Sequence, residues 1–167
     1  MSLVSRHPIW SSAGSSPSNV TMASMATVQA QMLSGRYRTE LLCSKWKPEC
    51  TGLCLLSPLC SSTPEDLKHI LQDCIALVQT RQNLLEFTCR YCENFPDVSS
   101  IVFYFLDPSN PEYCQFLIDC STIPRIISAS QTYGVSYIHN HLFNITRTWI
   151  YTLHKERLKI LGRWNIV

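Results

Sequence analysis

The sequence predicts an all-α fold on three grounds: an apolar stripe at helical spacing late in the chain, an uninterrupted run of helix formers early on, and proline or glycine between the segments. The stripe is Leu142, Ile145, Trp149, Leu153 and Ile160, recurring at three, four or seven residues, and it predicts one long helix over residues 136–161. Lys155 and Lys159 fall on a second line of that helix, which Arg163 extends. Residues 20–33 hold good helix formers without Gly or Pro, and place Met22, Met25, Ala26, Met32 and Leu33 on one stripe with Gln29 its polar exception.

The remaining elements follow in order. Residues 1–18 are Ser-rich with Pro8, Gly14 and Pro17, and read as a disordered arm. After Ser34-Gly35 a short helix is expected over 38–46. A longer one runs to about Cys92, with Leu77, Leu84, Leu85 and Cys92 for packing, and Asn94-Phe-Pro96 stops it. Residues 98–106 suit a helix capped by Asp97; their aromatic and β-branched content also suits a strand, and the helical neighbours decide for helix. Short helices are expected over 112–120 and after Thr122, the latter broken at Tyr133-Gly134. The chain thus divides into the arm (1–18), a helical segment (19–47), a segment rich in cysteine with its following helix (48–93), and a C-terminal helical region (94–167).

At 167 residues and 46% hydrophobic content the chain is long and apolar enough for one core. The net charge of +2 hides a polarity: residues 63–120 carry Lys68, Arg81 and Arg90 against nine acids, whereas Arg125, Arg147, Lys155, Arg157, Lys159 and Arg163 face only Glu156. Such a basic end either is a solvated face or orients the protein on nucleic acid. The cysteine count is nine, an odd number, and no continuous apolar h-region opens the chain. That argues against a secreted disulfide framework and for metal ligation or burial in a reducing compartment, cytoplasmic or nuclear. The longest apolar run, residues 101–106, is too short to span a bilayer, so no membrane partner is expected.

The chemistry-bearing stretch is Cys54-x5-Cys60-x8-His69-x4-Cys74. Three soft sulfurs and an imidazole make a tetrahedral Zn2+ set with no open position for water, hence a structural and not a catalytic site. Thr63 is placed to cap the helix that follows, with Pro64 at its first position and Glu65 and Asp66 in its first turn. In an unbroken helix residues five apart lie about 140° from one another, so His69 and Cys74 share an ion only where the helix ends, loosens or tightens between them. Cys50 is an alternative first ligand and Cys43 a more distant one. The bland alternative is a set of buried free thiols with His69 at the surface.

Around this stretch Arg36, Tyr37, Arg38, Lys45, Trp46, Lys47 and Lys68 mix cations with aromatic rings, a mix that suits single-stranded RNA or DNA. Core packing is the competing role for Tyr37 and Trp46, and the favoured one for Trp46. Cys89-Arg-Tyr-Cys92 has redox spacing but falls near a helix C-terminus, where the dipole does not lower a thiol pKa. His139 and His141, two apart on a helix, point to different sides. No Ser/His/Asp set, Cys/His set, phosphate-cradling Gly-rich loop or small-molecule site can be argued.

Several blocks together resemble the extreme C-terminal region of the reverse-transcriptase polyprotein of jockey-like non-LTR (LINE-type) retrotransposons. They are His7-Pro-Ile-Trp10 with the Ser-Ser-Ala-Gly after it, Met32-Leu-Ser-Gly-Arg-Tyr-Arg-Thr39, Leu42-Cys43 and Trp46, then Cys54-Leu-Leu-Ser-Pro-Leu-Cys60 and Glu65-Asp-Leu-Lys-His-Ile-Leu71 through Cys74. Gln115-Phe-Leu-Ile-Asp-Cys120, Thr146-Arg-Thr-Trp149 and Leu153-His-Lys-Glu-Arg157 continue the likeness over nearly the whole chain. The resemblance implies a zinc knuckle of Cys54, Cys60, His69 and Cys74 lying beyond the polymerase and holding template RNA or target DNA. Related elements often carry a shorter first gap, with Cys where Ser57 stands here. The paired aspartates a polymerase needs for two metals are missing, Phe105-Leu-Asp107-Pro being the nearest approach, and no endonuclease block is visible. The resemblance therefore implies a fragment without catalytic activity.

Overall fold

A computed structural model describes residues 20–162. The expected arm, the His7–Trp10 block and Arg163 lie outside the described residues. Seven α-helices follow in order: α1 (Val20–Leu33), α2 (Glu40–Ser44), α3 (Val78–Cys92), α4 (Pro96–Phe105), α5 (Tyr113–Asp119), α6 (Pro124–Tyr133) and α7 (Val135–Ile160). Among the described residues there is no strand, and the isolated antiparallel bridge Leu53–Pro64 is the β-type pairing. The fold is all-α, as the sequence predicts. Among the described residues no helix is long and apolar enough to cross a membrane.

The axis of the molecule is α7. Its 26 residues span roughly 39 Å, and it packs against α1, α3, α4, α5 and α6. Leu142, Ile145, Trp149 and Leu153 are buried as the stripe predicts, while Ile160 is 39% exposed because the bundle ends a turn before it. Trp149 brings a polar atom into this core and satisfies it: its indole N–H donates to the Thr88 hydroxyl on α3 at 2.9 Å, and that hydroxyl donates to the Leu84 carbonyl. Gly134, at φ +98°, takes a left-handed conformation that favours glycine and turns α6 into α7.

Gln29, the polar exception on α1, is fully buried. Its amide donates to the Leu117 and Ile118 carbonyls at the end of α5, and its oxygen accepts from Arg147. These bonds make it a tie between α1, α5 and α7. Leu33, placed on the same stripe by spacing, is 43% exposed.

Three expectations are corrected. α4 begins with Pro96 at its first position, so Asp97 sits within the first turn and does not cap. α6 begins at Pro124 after an extended Ile123, and the Thr122 hydroxyl instead accepts from Gln115. The basic C-terminal end loses two of its charges to the interior, since Arg147 and Arg157 are buried.

Candidate metal centre

The loop that carries the first two cysteines is closed at its base. Glu65 N–H donates to the Gly52 carbonyl at 3.0 Å, Cys54 N–H to Thr63 at 2.9 Å, and Thr63 N–H to Cys60 at 3.0 Å, flanking the Leu53–Pro64 bridge. Gly52 adopts φ +77°, and a Cβ there would stand 3.0 Å from the Ser44 hydroxyl, so both conformation and space call for glycine. Within the loop the Ser57 hydroxyl accepts from Leu59 N–H and starts the tight turn Pro58–Cys60. This brings the Cys60 sulfur within 3.4 Å of the Cys54 sulfur.

The second pair depends on a widened helix. The Asp66 carboxylate accepts from His69 N–H at 2.7 Å and caps the segment, a role the sequence assigns to Thr63; Pro64 lies in the bridge and not in a first helical turn. Glu65, expected in that turn, is buried and faces α7. Residues His69–Asp73 form a π-turn, closed by Cys74 N–H donating to the His69 carbonyl at 2.7 Å. An i to i+5 bond sets residues five apart on one side of the chain. This is the loosening that the spacing requires for His69 and Cys74 to converge. Arg81 then donates to the Cys74 carbonyl at 2.6 Å, and Ile70 and Leu71 on the same turn are fully buried.

One ligand atom from each of Cys54, Cys60, His69 and Cys74 lies within 4.8 Å of all the others, and all four residues are buried. Cys54 and Cys74 sulfurs are 3.9 Å apart, Cys60 and Cys74 4.0 Å. These separations are far beyond a disulfide bond of about 2.05 Å, and all nine cysteines are free. Neither ring nitrogen of buried His69 has a hydrogen-bond partner among the described residues. An unpaired buried nitrogen is costly, and coordination would satisfy one of the two.

Burial pushes the Cys74 thiol up to about 12 and raises Cys54 as well, while N–H groups of Ala76 and Leu56 bond to the two sulfurs and pull the other way. Grouped thiolates in so dry a place need a cation to offset their charge. The donor set therefore fits a metal ion. Cys54, and neither Cys50 nor Cys43, belongs to this group.

The expected nucleic-acid surface is changed in one member. Arg36, Arg38, Lys45, Lys47 and Lys68 are exposed. Tyr37 is not available for stacking: it is 4% exposed, and its hydroxyl shares a 2.9 Å hydrogen bond with His154 Nδ1. Trp46 departs from its expected packing role in the opposite direction, at 82% exposed. Arg38, Trp46 and Lys47 line one shallow concavity, Lys45 and Lys68 line another, and Leu42 is a wall of both. Arg38, Lys45, Lys47 and Lys68 thus lie about adjoining concavities, with Asp66 among them, and Arg36 lines a third concavity together with Arg38.

The sequence carries no sign of the pairing that holds the metal segment down. Glu65 Oε1 accepts from Arg157 at 2.5 Å and from Glu40 N–H at 2.9 Å, joining the metal segment to both α7 and α2. Glu65 sits among charged and polar neighbours with no periodic signal of burial, whereas Arg157 falls on the apolar stripe of α7, four residues after Leu153 and three before Ile160, which is the signal that could have found it. Cys92 lies in the last turn of α3, and burial raises its thiol to about 11, the reverse of an activated redox pair. Among the described residues neither Cys89, Cys92, Cys114 nor Cys120 joins a second metal group. His141 bonds the Tyr91 hydroxyl at 2.7 Å and stacks within an aromatic cluster apart from His139.

The class defined by fold and site is an all-α bundle with a buried three-cysteine, one-histidine group able to hold a metal ion. No family model, curated protein or solved structure matches the chain.

Proposed function

We propose that this protein is a zinc-stabilised nucleic-acid-binding module, with Cys54, Cys60, His69 and Cys74 holding one structural Zn2+ and the adjoining basic face holding single-stranded RNA or DNA. Zinc is the reading that the donor set favours. With Zn–S bonds of about 2.3 Å, a tetrahedron has sulfur pairs about 3.8 Å apart, and the sulfurs here stand 3.4, 3.9 and 4.0 Å apart. Four protein donors fill the coordination sphere and leave no position for a reacting water. The ion is structural on this reading and the module is not an enzyme.

The observation that carries the binding role is the juxtaposition of exposed Trp46 with Arg38 and Lys47 in one concavity. Cations neutralise backbone phosphates, and an exposed indole stacks on a base without demanding its identity. The likeness to the post-polymerase region of jockey-like retrotransposon polyproteins supports the same role, that of holding a template or target strand. Nine free thiols suit a reducing cytoplasm or nucleus.

The test is binding of zinc-loaded protein to single-stranded RNA and DNA across a salt series. Substituting Arg36, Arg38 and Lys45 together by Gln should weaken binding and lower the salt slope by roughly 0.7 for each phosphate that is no longer neutralised. Unchanged affinity and slope would remove this surface from the reading. A second reading is a structural appendage that binds nothing, favoured by the internal Glu65–Arg157 tie, which makes the metal segment an integral part of the bundle. Folded, zinc-loaded protein that binds neither RNA nor DNA would select it.

A further inference from the structure

We propose that the concavity between the end of α1, the Arg36–Arg38 turn and the last turns of α7 is a phosphate-binding subsite, with Arg36 and Arg38 at its mouth and Arg157 and His154 beneath. It deepens the nucleic-acid reading, on which it rests for the source of the phosphate. The cavity measures about 250 Å³ and is lined by Gln31, Arg36, Tyr37, Arg38, His154 and Arg157 with the Leu158 side chain, and no carboxylate is among its lining residues.

The lower part of the site is built from buried polar groups, not surface side chains alone. Arg157 is 3% exposed, and its Nε has no hydrogen-bond partner among the described residues. Its Nη2 is held by Glu65, which fixes the guanidinium plane against the Tyr37 ring, 5.8 Å from the centroid. The Tyr37 hydroxyl lies 2.9 Å from His154 Nδ1, and where the hydroxyl donates, the imidazole proton stands on Nε2 as a further donor. Glu65 balances Arg157, so the two exposed arginines set the sign of the mouth. Planar guanidinium forks are the groups that recognise phosphate oxygens in pairs.

Two phosphate sources share this chemistry: a diester of a bound strand and free inorganic phosphate. The experiment follows the arginine Hε–Nε signals of full-length, zinc-loaded protein by NMR. Inorganic phosphate is titrated first, then a single-stranded oligonucleotide with 5′-hydroxyl ends. The expected result is movement of the Arg36, Arg38 and Arg157 signals by both probes. Arg36→Gln with Arg38→Gln should weaken the phosphate effect about tenfold or more, while Arg90→Gln on α3, which also removes a surface charge, leaves it intact.

Movement with phosphate but no oligonucleotide binding would keep the subsite and overturn the nucleic-acid reading. Oligonucleotide binding that shifts Trp46 but none of the three arginines would keep that reading and overturn the subsite. Silence of the arginines toward both probes overturns the subsite as well.

Discussion

The Glu65 carboxylate and the Arg157 guanidinium meet inside the protein at 2.5 Å, with side chains 0% and 4% exposed. Glu65 lies between the closed cysteine loop and the π-turn, so the pair fastens the metal segment to the last turns of α7. Removing one partner strands the other as a buried charge, which costs about 3–5 kcal/mol. Glu65→Gln and Arg157→Met should each lose about that much in urea unfolding. The double variant should lose less than the sum, because neither charge is then left alone.

Gly52→Ala tests the base of the loop. A side chain at φ +77°, 3.0 Å from the Ser44 hydroxyl, should cost about 1–2 kcal/mol by strain alone. Because Gly52 also accepts from Glu65 N–H, the loss should appear as weaker metal retention in a chelator competition as well as in unfolding.

His154 makes stability depend on pH. Burial, and then the nearby Arg157 charge, lower its pKa from 6.5 to about 4. Above pH 6.5 the imidazole is neutral in both folded and unfolded chains, and its contribution is fully present. As pH falls toward 4 the unfolded chain takes up a proton that the folded one refuses, so stability falls across that window. His154→Gln should show a smaller drop in Tm between pH 7 and pH 5 than the parent. An identical drop would place the dependence elsewhere.

Trp46→Ala should separate binding from folding. An 82% exposed indole contributes little to the core, so unfolding should shift by no more than about 0.5 kcal/mol. Affinity for single strands should fall by about 1–3 kcal/mol if one base stacks there. Fluorescence anisotropy with a labelled oligonucleotide reads it directly.

Periodicity made the helices legible, because a helix that buries one face must repeat at helical spacing. The residues 20–33 segment and the long α7 therefore appear close to where the sequence places them. The clustering of Cys54, Cys60, His69 and Cys74 was legible because sulfur and imidazole at finger-like spacing have few other uses together. Helix starts were less so: Asp66 and Thr63 are both good caps, and the Leu53–Pro64 bridge decided between them. Burial of Arg147 was not legible, since it is a charged group whose partner Gln29 lies far along the chain. Gln29 and Arg157 fall on the apolar stripes of their helices, and what was not legible there is the distant partner that satisfies each. Trp46 misled in the other sense, a large apolar ring left outside by a short α2 that ends before it.

Metal content of purified full-length protein, measured by mass spectrometry alongside His69→Ala, tests the central claim most directly. One zinc ion per parent chain is expected, with loss of metal and weaker protection of the 52–74 backbone in the variant. A parent chain that folds with no metal bound and gains none on exposure to zinc would contradict it.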